Sequence, residues 1–320
     1  MLRGFAVAAA VLLSWNVCWG QGYPAKPVRL IVPSSPGGGT DSTARIIAPK
    51  LTELLGQQVV VENRAGASTL IGQEVVARAA PDGYTLLMGN SSIIILPSIH
   101  KHVRVDPIRE FAPVSMAVVL PQLLVSHPSL PAKDLKELIA FVKARPGQLD
   151  FAAGGIGGNP HMTMELFLHM AGLKVVYVPY KSGNAGFVDL LSGQVSLAMS
   201  SLLTAMPHVR TGRLRAYGVT SAKRASGLPD IPTIAEAGVP GYEAIQWFGV
   251  LAPAGTPRGI VTRLHGEMVR AVQDAEVSKR FINDGAEPTW SHSPEEFADR
   301  MRADMAKWAK VIKDAGIKPQ

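Results

Sequence analysis

At 320 residues, 47% of them hydrophobic, the chain can form one large domain or two ordinary ones around a sizeable core. Its formal charge of +7 is spread without basic runs or interleaved aromatics, and Cys18 is its only cysteine. Nucleic-acid binding, disulfide frameworks and thiolate metal sites are thereby set aside, while a mildly positive field suits anionic solutes.

Residues 1–20 read as a signal peptide, with Arg3 as the positive region, Phe5–Leu13 as the apolar stretch and Cys18-Trp19-Gly20 before the cleavage point. Val17 is bulky where a lipid-attachment cysteine wants a small neighbour. The apolar stretch is too short to span a bilayer, as is every later window. A soluble protein exported to a bacterial periplasm is expected, cleaved near Gly20 and without a thiol.

The mature chain begins with a buried strand, Val28–Val32, closed by Pro33. It runs through Ser34-Ser35-Pro36-Gly37-Gly38-Gly39-Thr40-Asp41 into a helix over Asp41–Leu55. Glycines let a backbone approach a ligand, and a helix start offers free N–H groups and partial positive charge to an oxyanion. Asp41 fits an N-cap, a ligand contact or both. Ile46, Ile47, Leu51, Leu54 and Leu55 form the inner face, and Pro49 should kink or end the helix's first half.

Val59–Glu62, a helix over Thr69–Ala79 and Thr85–Met88 follow, the last reaching a polar turn at Asn90-Ser91-Ser92. Further strands are read at Val114–Leu120, Leu123–Val125, Leu149–Ala153, Val175–Val178, Val195–Met199, Arg215–Val219 and Trp247–Leu251. Pro131–Ala144 and Pro160–Ala171 are the clearest helices among them, and two more follow Leu251. The last has Ser293 as cap, Pro294 at its first position and Glu296 for a capping box, over an inner face of Phe297, Met301, Met305, Trp308 and Ile312. This βα alternation predicts two α/β domains with mixed, largely parallel sheets. The chain should pass between them within Val114–Val125 and Pro240–Leu251, giving a discontinuous first domain (21–120 plus 241–320) and a second over 121–240.

Two more glycine-rich turns precede helices. One is Ala153-Gly154-Gly155-Ile156-Gly157-Gly158-Asn159-Pro160, with Asn159 read as N-cap. The other is Tyr180-Lys181-Ser182-Gly183-Asn184. In open α/β sheets ligands bind at such carboxyl ends of strands, although a turn of this kind can equally be only a tight connection. Lys181 fits a solvated rim charge better than a ligand partner. The NTP-binding loop, dinucleotide pattern and nucleophile elbow are all missing. His161 with Glu165, and His100 with His102, have metal-ligand spacing but no third ligand, so neither a metal nor a cofactor is expected.

Taken together the motifs resemble the substrate-binding proteins of the tripartite tricarboxylate transporter family, the Bug-type receptors of Bordetella and relatives. The matching stretches include Tyr23-Pro24-Ala25-Lys26-Pro27, Pro36-Gly37-Gly38, Val59 to Ala67, Ala80 to Leu87, Val178-Pro179-Tyr180-Lys181, Asp189 to Gly193, Pro232 to Gly238 and Ala252 to Pro257. The resemblance covers nearly the whole mature chain. It implies a Venus flytrap of two domains that closes on a carboxylate held at the first turn, partly through ordered water. The solute would then pass to a membrane transporter. Its ligand-binding residues carry over as Ser35, Gly37, Gly38, Thr40, Asp41, Asn90 and Ser91 from the first domain. From the second come Ala153, Gly154, Gly157, Gly158, Asn159, His161, Tyr180 and Ser200. Ser34-Ser35, Ser182, Ser196 and Pro49 depart from the family pattern and leave the solute's identity open. A monomeric, non-enzymatic periplasmic solute receptor is expected. Its alternatives are a receptor feeding a sensor and a secreted enzyme using the same cleft.

Overall fold

Alternating β-branched runs and amphipathic stretches build two sheets in this computed structural model. It describes residues 22–317 apart from 101, 102, 104, 155, 156, 181, 182 and 227. Residues 1–20, read above as a signal peptide, with Cys18, the pairing partner His102, Gly155 and Ile156 of the second turn, and Lys181 and Ser182 of the third lie outside the described residues.

In chain order the first part comprises β1 (Val28–Val32), α1 (Gly39–Leu55), β2 (Val59–Asn63), α2 (Leu70–Ala77), β3 (Thr85–Asn90), α3 (Ser92–Ile99) and β4 (Phe111–Leu120). Next come β5 (Gln122–Ser126), α4 (Leu135–Lys143), β6 (Asp150–Gly154), α5 (Asn159–Ala171), β7 (Val176–Tyr180) and α6 (Gly183–Leu191). β8 (Leu197–Ser201), α7 (Leu202–Arg210), β9 (Arg215–Val219) and the one-turn α8 (Ile234–Ala237) complete that part. The last part holds β10 (Gln246–Pro253), α9 (Arg258–Gln273), α10 (Ala275–Asn283), β11 (Glu287–Pro288) and α11 (Pro294–Asp314).

The first sheet has the order β11-β4-β10-β3-β1-β2 and the second β7-β6-β8-β5-β9. The chain passes from one to the other at Pro121, between β4 and β5, and returns between β9 and β10. Parallel pairing holds for β1 with β2 and β3, and for β6 with β7 and β8. The strands nearest the crossings, β4, β5 and β10, pair antiparallel. The sheets are therefore mixed, and the parallel character expected of them is confined to their βα units.

β1 explains the layering. Val28, Leu30 and Val32 face a core with Ile46, Ile47 and Leu51 of α1 and Val261, Leu264 and Met268 of α9. Ile31 faces the other side, where the core continues through α2, α3 and α11 into α5 and the second sheet at Leu124 and Phe151. Each such side chain contributes about 1.5–3 kcal/mol on burial. Leu123, Val125 and Ala198 pack on the far face of the second sheet with Leu190 of α6 and Leu202 of α7.

Several expectations need correction. α1 is unbroken through Pro49, whose exposed position leaves the displaced carbonyl to solvent. Ser92, expected to end a polar turn, instead starts a helix over Ser92–Ile99. Its run Ile93-Ile94-Ile95-Leu96 is buried on all sides, so it shows no amphipathic period. Three helices follow β10, not two, because Asp274 accepts from the N–H groups of Glu276 and Val277 and starts α10. Gly158, not Asn159, is the N-cap of α5. Ser293 caps α11 as expected, but Glu296 accepts from the N–H of His292, one residue earlier than a capping box requires.

Candidate functional site

The connection β1-α1-β2 leaves β1 on one side, whereas β2-α2-β3 crosses back to the other, with α1 and α2 on opposite faces. The carboxyl ends of β1 and β3 thus flank a topological switch point, the usual ligand crevice of an open α/β sheet. The second sheet repeats the device at the carboxyl ends of β6 and β8. Gln122 pairs with Ser201 and Leu120 with Gln246, so the Pro121 crossing adjoins both ends.

At the first switch point Gly37 takes φ +83°, a conformation that favours glycine. Gly38 is the N-cap of α1 and supplies no side chain, so the first N–H groups of the helix are left for another acceptor. Asp41 is 97% buried by its neighbours rather than turned to the cleft. Its carboxylate accepts from the Gly37 N–H at 2.9 Å, Asn63 Nδ2 at 2.8 Å and Arg45 Nε at 3.0 Å. Burial opposes its ionisation, but the hydrogen bonds from Arg45, Gly37 and Asn63 and the Arg45 charge together hold it below the usual carboxylate range. Asn63 Nδ2 also donates to the Ser34 carbonyl at 3.0 Å. Asp41 therefore braces the turn while Ser35, Gly37 and Gly38 are its exposed part. Thr40 is buried and accepts from Asn90 Nδ2 at 3.0 Å, joining α1 to the end of β3. Ser92 donates to Asn90 Oδ1 through both its N–H and its hydroxyl. Ser91 donates its N–H to the Trp247 carbonyl at 3.0 Å.

In the second turn Gly157 has φ +77° and donates to His161 Nδ1 at 3.0 Å. His161 is buried between Phe151 and Tyr177, with Nε2 3.5 Å from Glu165. That geometry makes His161 the brace of its turn, as Asp41 is of the first. A Cβ on Gly157 would overlap Ile99 Cδ1, so this turn packs directly on α3. Asn159 accepts from Gln122 Nε2 at 2.8 Å. Tyr180 donates to Asp189 at 2.6 Å, a bond that with burial pushes its hydroxyl up to about 12.

Two cavities adjoin these turns, one beside the second and one beside the first, with Ser201 in both linings. One, about 170 Å³, is lined by Ala153, Gly154, Pro160, Ser200, Ser201 and Thr204 among others. The second, about 350 Å³, includes Gly37, Gly39, Ser42, Thr43, Pro121 and again Ser201. Buried side-chain atoms without a hydrogen-bond partner include Ser34 Oγ, Ser91 Oγ, Gln122 Oε1 and Asn159 Nδ2, all at strand ends or turns around the crossing. Such groups are stabilised when a ligand or water completes them.

Of the residues singled out from sequence, Gly37, Ala153, Gly154 and Ser200 line these cavities. Thr40, Asp41, Asn90, Gly157 and His161 support the turns behind them. Tyr180 is engaged with Asp189 and lines neither cavity. Ser201, Thr43 and Gln122 were not singled out. Ser201 had a signal: it precedes a helical run, accepts from the Thr204 N–H and caps α7. Gln122 had one too, as a lone amide in the apolar stretch Leu120–Val125. Among the described residues, no three His, Cys, Asp or Glu side chains stand together as a metal site.

A family model described as tripartite tricarboxylate transporter family receptor matches residues 43–317. Among similar solved structures is R. palustris Rpa4515 with adipate, 38% identical over 93% of this chain and 100% of that one, with a TM-score of 0.77. The periplasmic binding protein BugD is 34% identical over 93% of this chain and all of its own, with a TM-score of 0.73. MatC from Rhodopseudomonas palustris, with bound malate, is 30% identical over 91% of this chain and 100% of its own, with a TM-score of 0.72.

Proposed function

The chain belongs to the tripartite tricarboxylate transporter family of receptors, a family of solute-binding proteins, and from that premise we propose that it captures a small organic carboxylate between its lobes and presents it to a membrane transporter. The observation that carries the anion reading is the α1 start, where Gly38 leaves helix N–H groups uncapped beside a cavity. The nearest carboxylate, Asp41, is neutralised within its own turn by Arg45, so it does not repel an incoming anion. Adipate and malate, found with Rpa4515 and MatC, are both carboxylates and support the class.

Binding leaves the solute unaltered in this reading. His161, the cleft's buried histidine, has Nδ1 occupied by a backbone N–H and is sandwiched by aromatic rings, which suits bracing rather than proton transfer. Closure follows if ligand contacts to both switch points favour the closed arrangement over the open one. A periplasmic location is supported by the signal-like residues 1–20 and by BugD, a periplasmic binding protein.

A thermal-shift panel of carboxylates, amino acids, sugars and amines tests the reading. An acid at 100 times its Kd should stabilise the protein by about 2.7 kcal/mol. Mass spectrometry should recover that acid unchanged. Stabilisation by sugars or amines alone, with none by acids, would refute the anion argument.

A further inference from the structure

The larger cavity does not stop at the glycine-rich turn. Gly37, Gly39, Ser42, Thr43 and Ser201 form its polar end, and from there it runs along α1 between Ile46, Leu120, Leu203, Phe281 and Ala286. A further hollow of about 390 Å³ continues it, sharing Leu203, Gly285 and Ala286 and adding Leu202, Met206 and Ile282. Leu203 and Ile282 are 59% and 44% exposed, a large fraction for such apolar side chains. The two ends thus differ in chemistry: helix N–H groups and hydroxyls at one, and at the other a wet apolar furrow with Asp284, Arg210 and Glu287 at its margin. A compact polar solute would leave that furrow hydrated, whereas a ligand with its own hydrocarbon would dry it. Asp284, exposed and negative, is the one ionisable residue lining the larger cavity, and Arg210 and Glu287 line the further hollow, so the far end carries a net negative charge. It disfavours a second carboxylate at the far end.

We propose that this chain takes a carboxylate with an uncharged apolar body of several carbons. The carboxylate sits at the start of α1 and the body lies in the furrow walled by Ile46, Leu120, Leu203, Phe281 and Ala286. The proposal rests on the carboxylate reading above and narrows it. Two lobes contribute to the furrow, Leu203 from one and Phe281 from the other, so the apolar body itself favours the closed arrangement.

Calorimetry on the purified protein with propanoate, pentanoate and heptanoate is the test. Affinity should rise about fourfold for each methylene that enters the furrow. Leu203→Glu, at a position exposed enough to accept the change, should bring heptanoate towards the affinity of propanoate, whereas Leu203→Met should keep the series steep. Equal affinity across the wild-type series, or heptanedioate binding more tightly than heptanoate, would overturn the furrow while leaving the carboxylate reading intact. Binding of no carboxylate of any kind would overturn both.

Discussion

Replacing Asp41 with alanine tests the bracing of the first turn most directly. The carboxylate holds three donors: the Gly37 N–H lies in the turn itself, Asn63 Nδ2 reaches it from the end of β2, and Arg45 from the next turn of α1. A hydrogen bond to a charged acceptor is worth about 1.5–3 kcal/mol, and the low end applies to these part-buried bonds because Asn63 Nδ2 keeps the Ser34 carbonyl. The Arg45 side chain is 53% exposed, so its ion pair adds at most about 1 kcal/mol after screening. The expected loss is about 3 kcal/mol, which at about 2.1 cal/mol/K per residue lowers Tm by roughly 5 °C for a chain of this length. Ligand affinity should fall more than tenfold, because Gly37 loses the acceptor that holds its left-handed conformation.

The same substitution has a pH signature. Asp41 titrates below its ordinary value of about 3.9, so its stabilisation is complete above that pH and is lost as pH falls through the lower, folded value. The gap in Tm between wild type and Asp41→Ala should therefore stay constant from neutrality to about pH 4 and narrow below it. Calorimetric unfolding across that range, with ligand titration at pH 7, measures both effects. A variant within 1 °C of wild type with unchanged affinity would show that the carboxylate does not hold the turn.

Other substitutions separate seat, packing and lobe motion. Gly38 has negative φ, and a Cβ there meets only Ser35 O at 3.7 Å and Ser34 Oγ at 3.9 Å. Gly38→Leu should therefore keep the Tm while abolishing the ligand-induced shift; retained binding would place the solute elsewhere. Gly157→Ala combines a left-handed backbone with overlap on Ile99, a cost of about 2–3 kcal/mol. Ile99→Val added to it should recover part of that loss in Tm, and no recovery would argue against the contact. Glu287 accepts from the Ser226 N–H at 2.8 Å and from its hydroxyl at 2.7 Å, tying the β11 edge of the first sheet to the segment after β9. Because the contact is exposed, Glu287→Gln should shift the lobe equilibrium by about 1 kcal/mol at most, seen as expansion in solution scattering. An unchanged scattering envelope would remove the tie from the account of closure.

Sequence periodicity revealed what local chemistry dictates. Val28–Val32, Arg215–Val219 and the Ser293 cap could be read because apolar alternation and side-chain caps are local signals. α3 could not, since Ile93 to Leu96 are buried by α11 and the sheet together, and a helix surrounded by protein has no polar face to mark it. The glycine turns were equally legible, but their bracing was not. Asp41 looked like a cap because it stands at a helix start; its partners Asn63 and Arg45 are assembled by β2 and by the helix repeat. His161 can be read from sequence as a cleft side chain or as a packed histidine at its helix start, and its ring is packed, closing the second turn from behind. Gln122 sits where two sheets meet, a relation that exists only after β5 has paired with β8. Ser34 and Ser35 illustrate the remaining gap. Their departure from the family pattern was visible at once, yet Asn63 fixes the Ser34 carbonyl and leaves its hydroxyl unpartnered, a detail that only packing supplies.

The braces also locate where motion can occur. α11 belongs to the first lobe's core, yet its apolar face, including Trp308 and Met301, is continuous with α3 and α5, so the two lobes share one hydrophobic cluster. Asp304 on the same helix accepts from Trp247 Nε1 at 3.2 Å and Arg300 Nε at 2.8 Å, while Lys307 Nζ donates to the Glu243 carbonyl on the returning chain. The return segment is therefore fastened to the first lobe up to β10. Thr220 is fastened differently: its hydroxyl accepts from the Gln122 N–H at 2.8 Å and its N–H donates to the Gln122 carbonyl at 2.9 Å. Tyr242 in turn donates its hydroxyl to the Thr163 carbonyl of α5, so any rotation falls at Pro121 on one crossing and at residues 243–245 on the other. Neither glycine-rich turn lies at these points. Each is held by its own buried acceptor, Asp41 or His161, so closure can bring two preformed seats together without rebuilding either.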